Sequence, residues 1–345
     1  MHRILKAPMA ATFAVLAVLP VAAGGSREVP GEEPRQVTIG FQSIPNGEIV
    51  AKQLGWHEEH MGVPVRWVEF NSGSELNAAV AAGSVDMGLG GSSTTVAAIA
   101  GGVEAEVIWI YNIIGENEAL VVGRESGIHE VTDLRGRRVA APFGATTHYH
   151  LMVALELAGV EEDELTILDM PPADMRAAWQ RGDIDAGFVW EPTLAAMLEL
   201  DGRVLVSSGE LAAQGFLTGD IGIASRAFAQ AYPQLVERYL ETQIRAVEFI
   251  RANPDEAAAA VGREFGIDQE EALRQMSSLV FLSGDEQLSS DYLGTPGATG
   301  ALADVFVATG EFLASQRTIR SAPSREVFET AINPAYLERA VAAGR

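Results

Sequence analysis

Two hydrophobic rhythms alternate along the chain from residue 36 onward. Val37-Thr38-Ile39-Gly40-Phe41 alternates like a strand, and residues 63–70 form a second strand with Pro64 near its start. Between them, Ile49, Val50, Leu54 and Trp56 recur at helical spacing after Asn46-Gly47. Ser74 is placed to cap a helix over 75–82, and Met87-Gly88-Leu89 is short and apolar like a buried parallel strand. Ser92-Ser93-Thr94-Thr95 starts a helix that Gly101-Gly102 ends, and 107–111 is the next strand. This rhythm predicts a parallel sheet with right-handed crossovers.

The pattern then repeats. Strands are expected at 118–122, 139–141, 166–170, 204–206 and 220–224, with helices at 146–157 and 174–180. Thr146 or Thr147 is the expected cap of the first, Gly159 its stop, and Pro171-Pro172 precedes the second. Beyond residue 224 the period lengthens into helices over 233–252, 254–265, 269–279 and 303–315, punctuated by Asn253-Pro254 and Gly266-Ile267-Asp268. One unit is used twice, ninety-nine residues apart: Gly83-x-x-Asp86-x-Gly88 and Gly182-x-x-Asp185-x-Gly187. Each follows an amphipathic helical segment and leads into apolar residues and a new helix, the second by way of Trp190-Glu191-Pro192. A unit repeated at that distance predicts two similar α/β lobes, not a solenoid. The expected plan is a first lobe over 36–117, a crossing strand at 118–122, a second lobe over 123–219, a second crossing strand at 220–224, and a helical return over 225–345. A small molecule fits naturally between two such lobes.

Composition narrows the partners. The 345 residues are ample for two domains, and the formal charge of −23 argues against nucleic acid or an anionic membrane surface. Residues 1–24 read as a secretory signal: His2, Arg3 and Lys6, a short apolar run from Met9 to Leu19, then Pro20-Val21-Ala22-Ala23-Gly24. Residues 25–35, rich in Gly, Pro and Glu, read as a flexible leader. With no cysteine there is no disulfide and no lipid-modifiable thiol, so the expected product is exported, freely diffusing and periplasmic.

Enzyme signatures are missing. There is no Gly-x-Ser-x-Gly elbow, no phosphate-binding loop and no complete Gly-x-Gly-x-x-Gly; Gly88 to Ser93 comes nearest to the last. His57-Glu58-Glu59-His60 spaces its histidines by three where a zincin helix needs four, and reads as a solvated helix end. No catalytic residue, metal or cofactor is therefore expected, with an exported enzyme as the lesser alternative. Ser92-Ser93 and Thr146-Thr147 instead place hydroxyls at helix starts after strands, where free N–H groups and the helix dipole favour an anion; plain capping is the alternative for each. Glu118 and Asp220, on the two expected crossings, and Trp190, just past a strand, suit an ammonium group through charge-assisted hydrogen bonds and a cation–π face. Exposed acids and a core tryptophan are the ordinary alternative. Taken together, the two sets suggest a zwitterion.

These stretches resemble the nitrate/sulfonate/taurine family of substrate-binding proteins of ABC importers. The resemblance covers about residues 36–340. It is carried by Asn117-Glu118-Ala119-Leu120-Val121-Val122, Val139-Ala140-Ala141-Pro142-Phe143, Thr146-Thr147-His148-Tyr149, Pro171-Pro172-Ala173, residues 177–185 and Val189-Trp190. Gly91-Ser92-Ser93 and Phe41-Gln42-Ser43 match more loosely. An acid at 118 and the Thr-Thr-His-Tyr run look like the taurine branch. The resemblance implies a two-lobed periplasmic binding protein type II fold, each lobe a mixed, mainly parallel sheet flanked by helices, that closes by a hinge. It further implies a monomer that takes a small zwitterionic sulfonate to a membrane permease, with other aliphatic sulfonates or amino-phosphonates as the alternative ligands. The implied pocket is Gln42, Ser92, Ser93, Glu118, Thr146, Thr147, His148, Trp190 and Asp220. Ala145, Glu191 and Gly219 depart from the pattern; Ala145 removes a sulfonate donor, and Glu191 is expected to add negative charge near the pocket.

Overall fold

The computed structural model describes Pro34 and residues 36–345; the expected export signal and nearly all of the leader lie outside the described residues. The first lobe is laid down by β1 (Val37–Phe41), β2 (Val65–Glu69), β3 (Met87–Gly91) and β4 (Ala105–Ile114), with helices in the connections. The second is built from β5 (Glu118–Gly123), β6 (Arg138–Ala141), β7 (Thr166–Asp169), β8 (Ala186–Trp190) and β9 (Gly202–Ser207). The chain then returns through β10 (Gly219–Ser225) and the short β11 (Leu279–Val280).

Both sheets are mixed. The first has the order β11-β4-β10-β3-β1-β2, and the second β7-β6-β8-β5-β9. Where consecutive parallel strands were expected, β10 is inserted antiparallel between β3 and β4. Gly222 permits this, because a Cβ there would stand 2.9 Å from Trp109 Cβ. The second sheet receives β5 antiparallel between β8 and β9. The stretches expected to cross between lobes, 118–122 and 220–224, are thus each a strand within one sheet. The chain passes between sheets in the segments just before them, 115–117 and 208–218.

The repeated Gly-x-x-Asp-x-Gly unit does the same job in each lobe. Gly83 and Gly182 turn the chain at φ 68° and 71°, the left-handed region that glycine tolerates. Asp86 Oδ2 then accepts from the Thr38 N–H at 2.7 Å, and Asp185 Oδ2 from the Arg138 N–H at 2.8 Å. Each carboxylate ties the start of its strand to the start of the neighbouring parallel strand. Gly88 and Gly187 sit where another atom comes close: a Cβ would lie 2.6 Å from the Gly40 carbonyl oxygen and 2.7 Å from Met175 Sδ respectively.

The C-terminal helices, among them Pro233–Ala252, Pro254–Phe265 and Leu302–Ser315, pack on the first lobe and share its core through Leu235, Tyr239, Ala246, Ile250, Val261 and Phe306. Ser72, not Ser74, caps the Gly73–Ala81 helix, its side chain accepting from the Glu75 N–H. His57 is not at a solvated helix end: it is fully buried, with Nε2 3.0 Å from Glu48 Oε2 and its ring stacked 4.8 Å from Tyr239. Tyr239 and Tyr111 also donate to Glu48, at 2.8 and 3.2 Å, so the acid is buried among donors. His60 pairs with Glu241. Among the described residues no group of three or more His, Asp or Glu is placed to hold a metal.

Candidate functional site

Strand direction decides which side chains meet. β1 and β3 are parallel and end at Phe41 and Gly91, delivering Gln42 and the Ser92–Ala100 helix to one edge of the first sheet. β10 runs the other way, so Asp220 lies at that edge, paired with Gly91 on one side and Asn112 on the other. In the second sheet β8 ends at Trp190, directly opposite Glu118 at the start of antiparallel β5. Directly opposed residues bring their Cβ atoms to about 5 Å, which puts the indole beside the carboxylate. Ligands of open α/β sheets bind at such carboxyl-terminal edges.

The two edges face each other across a narrow cavity whose lining includes Gln42, Thr94, Glu118, Thr146, Trp190 and Asp220. Gly73 and Gly91 keep it open: a Cβ on Gly73 would lie 2.4 Å from Thr94 Oγ1, and one on Gly91 3.0 Å from Thr146 Cγ2. Gly91 begins the Ser92–Ala100 helix and Ala145 the Thr146–Leu157 helix, and neither start has a side-chain cap. The first N–H groups of a helix have no partner inside it, so two sets of donors and two positive dipole ends converge on the cavity.

Among the described residues no cationic side chain pairs with the two acids. Glu118 and Asp220 are 3% and 4% exposed. Thr146 Oγ1 donates to Glu118 Oε1 at 2.7 Å, and Ser208 Oγ lies 3.3 Å from Glu118 Oε2. Asn112 Nδ2 donates to Asp220 Oδ2 at 2.8 Å. Burial first, and the nearby Asp220 second, push the Glu118 carboxyl up to about 8 against the pull of the Thr146 hydrogen bond. Burial pushes Asp220 up to about 6, opposed by Asn112. Two desolvated carboxyls and an aromatic face form a cavity end that a cation would relieve.

The other expected residues, Ser92, Ser93, Thr147 and His148, are not among those lining this space. Ser93 Oγ donates to the Gly144 carbonyl at 3.0 Å, joining the lobes. Ser92 Oγ accepts from the Gly219 N–H at 3.4 Å and borders a separate, apolar space lined largely by Ile110, Ile113, Leu217, Ile221 and Leu302. Thr146 and Thr147 are the first helical residues, with Ala145 in the capping position. Thr147 is fully buried with Oγ1 unpartnered. His148 stacks on Phe143 at 4.6 Å and accepts from the Gly144 N–H at 3.3 Å. Glu191 adds no charge to the cavity. It accepts from the Ala195 N–H at 2.8 Å and pairs at 2.9 Å with Arg274, which belongs to the helical return on the first lobe. Asn112, His150, Ser208 and Arg274 escaped the sequence reading. Only Asn112 left a signal, as a polar residue inside the apolar run of β4.

The chain is similar to several known proteins. A family described as NMT1/THI5 like matches residues 45–257. The taurine-binding periplasmic protein of Escherichia coli K12 is 32% identical over 286 residues, spanning 81% of this chain and 86% of that protein. The alkanesulfonate-binding protein SsuA from Xanthomonas axonopodis pv. citri, solved bound to MOPS, superposes with a TM-score of 0.72 at 24% identity, over 88% of this chain and 99% of its own. The desulfurization enzyme DszB superposes with a TM-score of 0.64 at 15% identity, over 90% of this chain and 100% of its own. At those identities the two structures establish the fold, that of the periplasmic binding proteins. With a family match over most of its length and a relative at 32% identity, the chain belongs to the NMT1/THI5 like family.

Proposed function

We propose that this protein captures taurine (2-aminoethanesulfonate), or a close aminosulfonate, outside the cytoplasm and delivers it as a monomer to the permease of an ABC importer. The observation that carries this is the convergence of Glu118, Asp220 and Trp190 on one small cavity that also receives two uncapped helix starts. The helix ends take the sulfonate through backbone N–H groups, and the carboxylates and indole take the ammonium. The 32% identity to a taurine-binding periplasmic protein supports both the ligand and the compartment. We read the protein as a carrier with no catalytic role, because the relative at 32% identity is a binding protein and the chain has no cysteine nucleophile.

Ligand selection follows from desolvation. A plain alkanesulfonate would leave the two buried acids without a cationic partner, whereas an ammonium gives them one. Calorimetric titration with taurine, ethanesulfonate and sulfate tests this. Taurine is expected to bind most tightly, and to be recovered unchanged. Ethanesulfonate binding as tightly as taurine would refute the amine site.

A further inference from the structure

The proton inventory behind Glu118 turns on the neutrality of one buried histidine. His150, fully buried, places Nε2 2.8 Å from the Phe216 carbonyl oxygen. A carbonyl has no hydrogen, so that ring nitrogen carries one. Burial pushes His150 down to about 4, leaving the ring neutral and Nδ1 a bare acceptor. Nδ1 is 2.7 Å from Ser208 Oγ, a contact that needs a hydrogen, and the single hydroxyl hydrogen of Ser208 is the one available. Ser208 therefore turns a lone pair toward Glu118 Oε2, 3.3 Å away. A carboxylate oxygen would face that lone pair unfavourably, whereas a carboxylic acid donates to it. The other oxygen, Oε1, already accepts from Thr146 at 2.7 Å. One accepting oxygen and one donating oxygen is the pattern of a neutral acid.

We propose that His150 and Ser208 are positioning residues that keep Glu118 protonated in the empty cavity, so that an ammonium ligand enters by displacing a proton to solvent. This rests on the reading of the ligand as an amine. The exchange conserves charge at the buried end of the cavity: the acid proton leaves, and a cation takes its place. The surrounding charged groups leave the exchange to Glu118. Asp220, across the cavity on β10, disfavours a second negative charge. Glu210, on the Ser208–Ala212 helix, is spent on the Ser207 N–H, and Glu116 accepts from Ser207 Oγ. Glu191, next to Trp190, is held by Arg274.

Titration of the intact protein with taurine, in buffers of different ionisation enthalpy, counts the protons. With Glu118 near 8, about nine-tenths of a proton is expected per taurine at pH 7 and about half at pH 8. Ser208→Ala removes an acceptor from the neutral acid, so the pH of half-release should fall. If Ser208 instead donated to a carboxylate, that pH would rise, which overturns the assignment. Taurine binding with no proton release overturns this inference and leaves the aminosulfonate reading standing; no taurine binding overturns both. Infrared spectroscopy of the empty protein needs no ligand. A protonated-carboxyl band at pH 7 that disappears in Glu118→Gln is expected, and its absence overturns the proposal.

Discussion

Replacing Asp220 by Asn should move two measurements in opposite directions. The variant keeps an oxygen for the 2.8 Å hydrogen bond from Asn112, so the site's shape changes little. It removes a carboxylate that is 4% exposed and pushed up to about 6 from 3.8. A shift of about two units corresponds to roughly 3 kcal/mol. Because the folded value is raised, the charged form is what folding penalises. That penalty is absent below about pH 4, builds as pH rises through the interval up to about 6, and is full above it. The empty variant should therefore be more stable than wild type at pH 7.5, by up to roughly 3 kcal/mol, and the two should converge near pH 4. Taurine binding should weaken, since truncating one partner of a buried charge pair costs about 2–5 kcal/mol. At about 1.4 kcal/mol per decade, that is roughly thirty-fold to a few thousand-fold in Kd. Ethanesulfonate, with no amine, should lose little. Calorimetric titration with both ligands, alongside denaturant unfolding across pH, measures all three. A variant that loses affinity for both ligands by the same factor would refute the placing of the amine at Asp220, and so would one that is less stable when empty.

Trp190→Leu should weaken taurine binding by about 0.5–2 kcal/mol, the range of a cation–π face, with a smaller effect on ethanesulfonate in the same titration. Arg274→Ala removes the pair to Glu191 between the helical return and the second lobe; with Arg274 half-exposed, about 1 kcal/mol is expected, seen by stopped-flow as faster ligand release and a weaker dependence of release on salt. Gly88→Ala should destabilise more than Gly187→Ala in thermal unfolding, because the first meets a backbone carbonyl at 2.6 Å and the second a flexible methionine at 2.7 Å. Overpacking of this kind typically costs about 1–3 kcal/mol.

The local rhythm of the fold was legible, whereas the order of its strands was not. Helices such as Pro233–Ala252 and Pro254–Phe265 begin at prolines with the expected bounds, because apolar spacing and breakers are local properties. The insertion of β10 between β3 and β4 leaves no local mark, since a strand buried on both faces reads alike whichever neighbours it has. The site divides in a similar way. Glu118, Trp190 and Asp220 could be read as chemistry on strand ends, where successive side chains take opposite faces. At the helix starts each residue turns by about 100°, so a run such as Ser92-Ser93-Thr94 does not say which hydroxyl enters the cavity. Thr94 does; Ser93 reaches across to Gly144 instead. Glu191 looked like added charge because Arg274, its partner, is 83 residues away in the chain.

The paired aspartates have a consequence for precision. A strand that slips by one residue turns every side chain to the opposite face. Asp86 and Asp185 each bond to one particular amide of the adjacent strand, and each lies five residues before the residue its strand brings to the cavity, Gly91 and Trp190. At about 3.3 Å per residue, the register of each jaw is pinned some 16 Å from the ligand. The parts that set alignment are thereby separated from the parts that touch the solute, so the tip of either jaw can be redesigned for a new ligand while its indexing stays fixed.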